Sequence, residues 1–194
     1  MAWLVDPSDL AVRLRAALDP SPAPALAPGD RLAAVLVPLV RRPEPALLFT
    51  RRAAALSRHA GEIAFPGGLV DADDAGLAQA ALREAEEEIG LARDLPEVLG
   101  ALPPVHTTVS GILVVPFVGM LREPPRLHLR DAEIAEAFEV PVARLLELEV
   151  VRTWERPDGG RWTGWVYEVE GRTIWGATGR MVHELLEIWR REMG

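Results

Sequence analysis

Cysteine is absent from the chain, which excludes disulfides and every thiolate site for zinc or an iron–sulfur cluster. Histidine is scarce, with four copies too scattered for a His-rich metal centre. No stretch approaches the roughly 18 apolar residues of a membrane-spanning helix. Met1 to Asp6 carries no basic region ahead of an apolar run, so no signal peptide is expected. Basic residues are outnumbered by acidic ones, 21 to 29, and the net charge of -8 argues against a nucleic-acid duplex as partner. A phosphorylated small molecule stays open, because a bound divalent cation reverses the local field. The expectation is a cytoplasmic protein, monomer or homodimer, with no membrane and no nucleic-acid partner.

What is present suits one globular domain over residues 1–194, with 49% apolar and 26% charged residues. Residues 1–28 read as an N-terminal helix and a connector. Ser8 is placed to cap a helix from about Leu10 to Leu18, and Asp19 to Pro28 is rich in proline and alanine. Arg31 to Val40 and Ala46 to Arg51 read as paired strands around a turn at Arg42-Pro43. From about Asp74 to Ile89 the pattern is helical and stops at Gly90. Val98 to Leu102 and Ile112 to Leu121 read as strands, the second apolar enough to be buried on both faces. Pro141 to Leu146 reads as a short helix. Val150 to Glu155 and Arg161 to Glu168 flank a hairpin signal at Pro157-Asp158-Gly159-Gly160. Ala177 to Arg191 is a final amphipathic helix. The pattern predicts an α/β fold, a mixed β-sheet with helices on both faces.

The most informative stretch is Gly67 to Leu91, GGLVDADDAGLAQAALREAEEEIGL. On a helix, Glu84 and Glu88 lie one turn apart on one face, with Glu87 beside them. Like charges at that spacing destabilise a bare helix by a few tenths of a kcal/mol per pair, roughly. A divalent cation is the simplest compensation, and magnesium favours oxygen ligands while keeping waters and substrate phosphates in its shell. Leu82, Ala85 and Ile89 on the opposite face are free to pack against the sheet. Gly67 and Gly68 let the chain pass close to a metal or phosphate. Arg83 is expected to hold a carboxylate in place. A solvated acidic helix face is the plainer reading of the glutamates alone, and the FPGG turn and Gly90-Leu91 weigh against it.

The segment resembles the Nudix box, G-x5-E-x7-R-E-U-x-E-E-x-G-U, in which U is apolar. Gly68, Arg83, Glu84, Glu87, Glu88, Gly90 and Leu91 match it. One extra residue lies between Gly68 and Arg83, Asp74 stands where the box has its first glutamate, and Ala85 is a small choice at U. The resemblance implies a Nudix α/β/α sandwich and magnesium- or manganese-dependent hydrolysis of a nucleoside diphosphate linked to another group. It implies Glu84, Glu87 and Glu88 as metal ligands.

Upstream, LLFTRRAAALSRHAGEIAFPGG is similar to a second motif, L-L-T-x-R-S-x3-R-x3-G-x3-F-P-G-G, found in Nudix enzymes that cleave coenzyme A. Leu48, Thr50, Arg52, Gly61 and Phe65 to Gly68 follow it in register. Phe49, Ala53 and Ser57 depart from it, and Arg58 stands beside the position of the second arginine. Pro116 to Gly119 and Ile174 to Thr178 are also shared with that subfamily. The resemblance implies coenzyme A as substrate, with 3′-phosphoadenosine 5′-phosphate and 4′-phosphopantetheine as products. Arg52 and Arg58, with Gly67 and Gly68, are the expected substrate-binding residues, the guanidinium forks suiting phosphate oxygens. The base that takes the proton from water stays open among Glu84, Glu87 and Glu133. Glu133 ranks ahead of Glu136, and both are expected in a loop or helix start. His59 and His106-Thr107-Thr108 are further candidates to line the pocket. Trp154, Trp162, Trp165 and Trp175 read chiefly as core or interface residues, and one of them is a candidate to stack on adenine. A Nudix enzyme for ADP-ribose, a dinucleotide or a nucleoside triphosphate, or a Nudix-fold module that binds without cleaving, are the competing readings.

Overall fold

The computed structural model describes residues 7–54, 60–107, 111–155 and 159–193. Strands β1 (Arg31–Val40) and β7 (Ile112–Leu121) form its centre, paired in parallel over their whole length from Arg31↔Ile112 to Val40↔Leu121. Their side chains alternate between two cores, as the strand pleat requires. Ala33, Val37 and Leu39 of β1 enter one core, and Ala34, Leu36 and Val40 the other. On β7, Val114, Val118 and Met120 join the first core, and Val115, Phe117 and Leu121 the second. This strand is therefore buried on both faces, as its composition predicts.

The other strands add antiparallel. β2 (Ala46–Arg52) pairs the far end of β1 through Leu39↔Leu47 and Val40↔Ala46 and then leaves it. β4 (Gly67–Leu69) takes its place along Ala33 to Val35. β3 (Ile63–Ala64), β5 (Glu97–Ala101), β6 (Val105–Thr107) and β8 (Ile134–Pro141) complete a mixed sheet of eight strands. Glu136, expected in a loop or helix start, lies within β8, although Ala and Glu in IAEAFEVP locally favour helix. Pairing along β2, from Ala46↔Pro141 to Arg52↔Ile134, overrides that local preference.

Helix α2 (Leu77–Ile89) covers one face with Ala80, Ala81, Leu82, Ala85 and Ile89 buried. α1 (Pro7–Ala17), α3 (Val142–Leu148) and α4 (Gly176–Met193) serve the opposite core. A small sheet of β9 (Val150–Glu155), β10 (Arg161–Val169) and β11 (Arg172–Ile174) sits on that side too. Helices thus lie on both faces of the mixed sheet, as expected. Ser8 falls inside α1, whose first residue is Pro7, so it is not the cap; proline at a first helical position needs no amide partner. The connector is pinned at its start by a bridge between Asp19 and Ala101. Of the hairpin signal, Pro157 and Asp158 lie outside the described residues.

Candidate active site

The chain reaches the site twice, first at Gly67-Gly68 and then on the last turns of α2. Glu88 is 5% exposed. One of its oxygens accepts the Gly67 amide at 3.1 Å, and the other lies 3.8 Å from Nη1 of Arg52. Burial pushes this carboxyl up to about 7, against the pull of the Gly67 amide and Arg52, while the charges of Glu84 and Glu133 add to the rise. Glu84 packs against Gly68 so closely that a Cβ there would stand 2.5 Å from its carboxyl carbon. Burial raises this second carboxyl as well, and Arg83 opposes the shift. Glu87 is half-exposed and lies 3.5 Å from Arg83. Glu86 turns away to Arg93 at 2.6 Å.

Arg83 organises the acidic cluster. Its Nε and Nη2 donate to Asp74 at 2.9 and 3.0 Å, and its Nη1 donates to Glu84 at 2.8 Å. This explains why α2 begins at Leu77 and not at Asp74. Asp74 closes a turn with Asp71, accepting the Asp71 amide at 2.8 Å, and offers its carboxylate to Arg83 instead of continuing a helix. Its pairing with Arg83 holds that carboxyl below the ordinary range. Arg83→Met should strand Asp74, whose side chain is 6% exposed, and destabilise the protein by about 2 to 3 kcal/mol at neutral pH. The stabilising pair exists above the ordinary carboxylate pKa and fades as pH falls through the depressed one. Thermal melts should therefore show the gap between variant and parent shrinking below pH 4; an unchanged gap would dismiss Asp74 as its source.

A strap absent from the sequence reading ties the end of α2 to Glu133. His128 donates its amide to Ile89 at 2.9 Å, and Arg130 donates to Glu88 at 2.9 Å, satisfying carbonyls that a helix end leaves open. Gly90 lets the strap in: its φ is 68°, and a Cβ there would meet His128 at 2.9 Å. Glu133 follows, its amide on Arg130 at 2.8 Å and its carbonyl accepting Ala53 at 2.8 Å. It sits just before β8, near enough to act on the Glu88 carboxyl. Glu136 is committed elsewhere, paired with Arg172 and with Arg51 at 3.1 Å.

The other candidates are distributed. Arg52 reaches Glu88, and its Nε is buried without a hydrogen-bond partner among the described residues. Ser57, Arg58, His59 and Thr108 lie outside the described residues. His106 and Thr107 belong to β6 rather than to a turn, with His106 3.1 Å from Asp30. Trp154 and Trp162 of the small sheet cluster with Trp175, just after β11, with ring centroids 4.4 to 6.3 Å apart, and Trp165 stacks on His183 at 3.9 Å. Surface hollows of about 390 and 410 Å3 lie away from the glutamates, beside α4 and beside β4 respectively.

Among the described residues, no three acidic or imidazole groups converge closely enough to enclose an ion alone. The donor set is nonetheless all oxygen, with Glu84 and Glu88 seated against Gly68 and Gly67. That suits a cation such as magnesium, which takes one or two carboxylates and completes its shell with water and phosphate. The residues fit the group.

Comparison with known proteins decides the family. Residues 30–165 match the model of the NUDIX domain. The chain belongs to the Nudix family. An uncharacterized Nudix hydrolase of Cronobacter sakazakii, NudL, is 46% identical over 159 residues, which cover 80% of this chain and 81% of that protein. Among solved structures, a MutT/nudix family protein from Enterococcus faecalis aligns with a TM-score of 0.53 at 16% identity, covering 96% of this chain and 69% of that one. The NUDIX domain of Shewanella oneidensis NrtR, complexed with ADP ribose, aligns with a TM-score of 0.51 at 18% identity, covering 62% and 79%. These likenesses show the Nudix fold, and the family's general use of divalent ions agrees with the oxygen donors on α2. No helix among the described residues is long and apolar enough to cross a membrane.

Proposed function

We propose that this Nudix protein hydrolyses the diphosphate bond of coenzyme A or its derivatives, releasing 3′,5′-ADP and 4′-phosphopantetheine. The observation that carries the reading is the position of Arg52. This arginine of the coenzyme A motif stands beside Glu88 of the Nudix box, joining the substrate motif to the candidate metal helix. Its guanidinium is a donor for a diphosphate lying on the glutamates.

Glu84, Glu87 and Glu88 would hold a magnesium or manganese ion, which would supply charge neutralisation for the diphosphate and a more acidic water. Gly67 and Gly68 bring the backbone close enough for substrate oxygens to approach. Arg83 keeps Glu84 and Glu87 oriented through its contacts at 2.8 and 3.5 Å. Water attacks one phosphorus, and the bridging oxygen leaves with the other phosphate. Glu133 accepts the water's proton, being a carboxylate near Glu88 whose backbone is fixed by the strap. The protein works in the cytoplasm as a single domain of residues 1–194, as monomer or homodimer.

Turnover measured on coenzyme A, ADP-ribose, a dinucleotide and a nucleoside triphosphate, with magnesium and then manganese, tests the reading. Coenzyme A should be preferred at least about tenfold in kcat/KM, the discrimination expected when a built polar site recognises its own substrate. Equal rates on ADP-ribose would defeat the proposal, as would binding of coenzyme A without product under either metal.

A further inference from the structure

The turn ahead of β8 joins the end of the acidic helix to β2 through one residue. Arg130 donates its amide to the Glu88 carbonyl at 2.9 Å, and its own carbonyl accepts the amides of Glu133 at 2.8 Å and Ile134 at 2.9 Å. Ile134 is buried in the core beneath α2 and pairs with Arg52, whose guanidinium lies 3.8 Å from Glu88. The Glu133 carbonyl accepts the Ala53 amide at 2.8 Å. A closed circuit therefore runs from Glu88 through Arg130 and Glu133 to β2, and back by way of Arg52. It fixes the main chain of Glu133 and leaves only the side chain to be aimed.

The Arg130 guanidinium supplies that aim, its Nη1 standing 3.2 Å from the Glu133 carboxylate. Arg144 with Glu147 and Arg190 with Glu187 have the same sequence spacing, at 2.7 and 2.6 Å, but they lie along α3 and α4. As a surface ion pair, each contributes little to stability. Arg130 differs because its main chain is bonded to Glu88 while its side chain faces Glu133, a carboxylate whose charge is felt at Glu88. A cation held by Glu88 attracts Glu133 too. Each carboxylate it captures displaces water from a shell that keeps several, and a captured carboxylate loses basicity.

We infer that Arg130 is a positioning residue that holds the Glu133 carboxylate away from the cation and so reserves it for the proton of the attacking water. The inference rests on the reading of the preceding subsection and deepens it, since it gives the reason one carboxylate serves as base while its neighbour Glu88 serves as ligand. Substitution of Arg130 leaves the fold intact. The bonds that tie the turn to α2 and β8 are made by backbone atoms, which any side chain keeps, and the arginine is 58% exposed.

The test measures manganese binding to the full-length protein without substrate, followed by the EPR signal of the free ion. Wild type is compared with Arg130→Met, Arg130→Lys, Glu133→Gln and the double variant carrying Arg130→Met and Glu133→Gln, with kcat and KM on coenzyme A at saturating metal measured beside it. Arg130→Met should bind manganese at least about fivefold more tightly yet lose at least about tenfold in kcat, with KM little changed. A purely structural ion pair does not move the two in opposite directions. Arg130→Lys, which keeps a cation beside Glu133, should stay within about threefold of wild type in both, and Glu133→Gln alone within about threefold in manganese binding. Removing the arginine's charge also favours a cation by simple attraction, and the double variant separates the two causes. Where Glu133 is the added ligand, the gain in affinity disappears with Glu133→Gln. A gain that survives in the double variant overturns the inference, as does weaker manganese binding or full kcat in Arg130→Met. Should wild type leave coenzyme A uncleaved, the preceding reading fails, while the manganese series needs no substrate and still decides the role of Arg130.

Discussion

Glu88→Gln should lower turnover at least about a hundredfold while making the metal-free protein more stable, an opposition that separates chemistry from scaffolding. The loss follows from the proposed role of Glu88 as a metal ligand, on the scale of deleting an electrostatic group from an active site. The gain follows from burial. Glu88 titrates at about 7 in the fold against 4.5 for the free side chain. Below about pH 4.5 the carboxyl is neutral in both folded and unfolded chains and costs nothing. As pH rises through that range, the unfolded chain ionises first and the fold is penalised, by roughly 3 kcal/mol once pH passes 7. Glutamine keeps an oxygen for the Gly67 amide and carries no charge. With chelator present, the variant should therefore melt several degrees higher at pH 8, at about 2 to 4 °C per kcal/mol for a chain of this size. At pH 4 the two should melt together. Retained activity would move the metal ligands off this helix, and a variant less stable at pH 8 would remove burial as the source of the shift.

The adjacent glycines should respond in different ways to alanine. At Gly67 a Cβ would stand 2.5 Å from the carbonyl oxygen of Ala34 and 2.5 Å from the Cα of Val35. Both are backbone of the central strand and have nowhere to move. Gly67→Ala should cost about 3 kcal/mol or more, at the upper end for overpacking, and lower the melting temperature by roughly 6 to 12 °C. At Gly68 the obstacle is the Glu84 carboxylate, 2.5 to 2.6 Å from the new methyl. That is the end of a side chain, and it can swing aside. Gly68→Ala should melt within about 3 °C of the parent yet lose at least about tenfold in kcat, because Glu84 leaves its seat. A variant at Gly68 with full activity would show that the tight fit has no bearing on catalysis.

The legible parts of this protein were those where local pattern and tertiary role agree. The double apolar face of Ile112–Leu121, the stop at Gly90 and the spacing of Glu84, Glu87 and Glu88 all follow from residue type and period. β8 was hidden because alanine and glutamate favour helix, and only its partner β2 makes it a strand. Asp74 was read as the first turn of α2, since nothing local announces that its carboxylate belongs to Arg83. The strap over the helix end was invisible for the same reason: its bonds are made by the backbone amides of His128 and Arg130, and amides leave no mark in composition. The helix that carries the glutamates was legible in the sequence, whereas the contacts that position their side chains are long-range and were not.

The parallel pairing of Arg31–Val40 with Ile112–Leu121 has a consequence for how the molecule is made. All residues of the acidic helix are synthesised between those two strands, so they emerge from the ribosome before the strand that completes the core beneath them. Contacts so distant along the chain form late and slowly. The apolar face of the helix gains Val115, Phe117 and Leu121 only then, so its ability to grip a cation should arise in the same kinetic phase that closes the sheet.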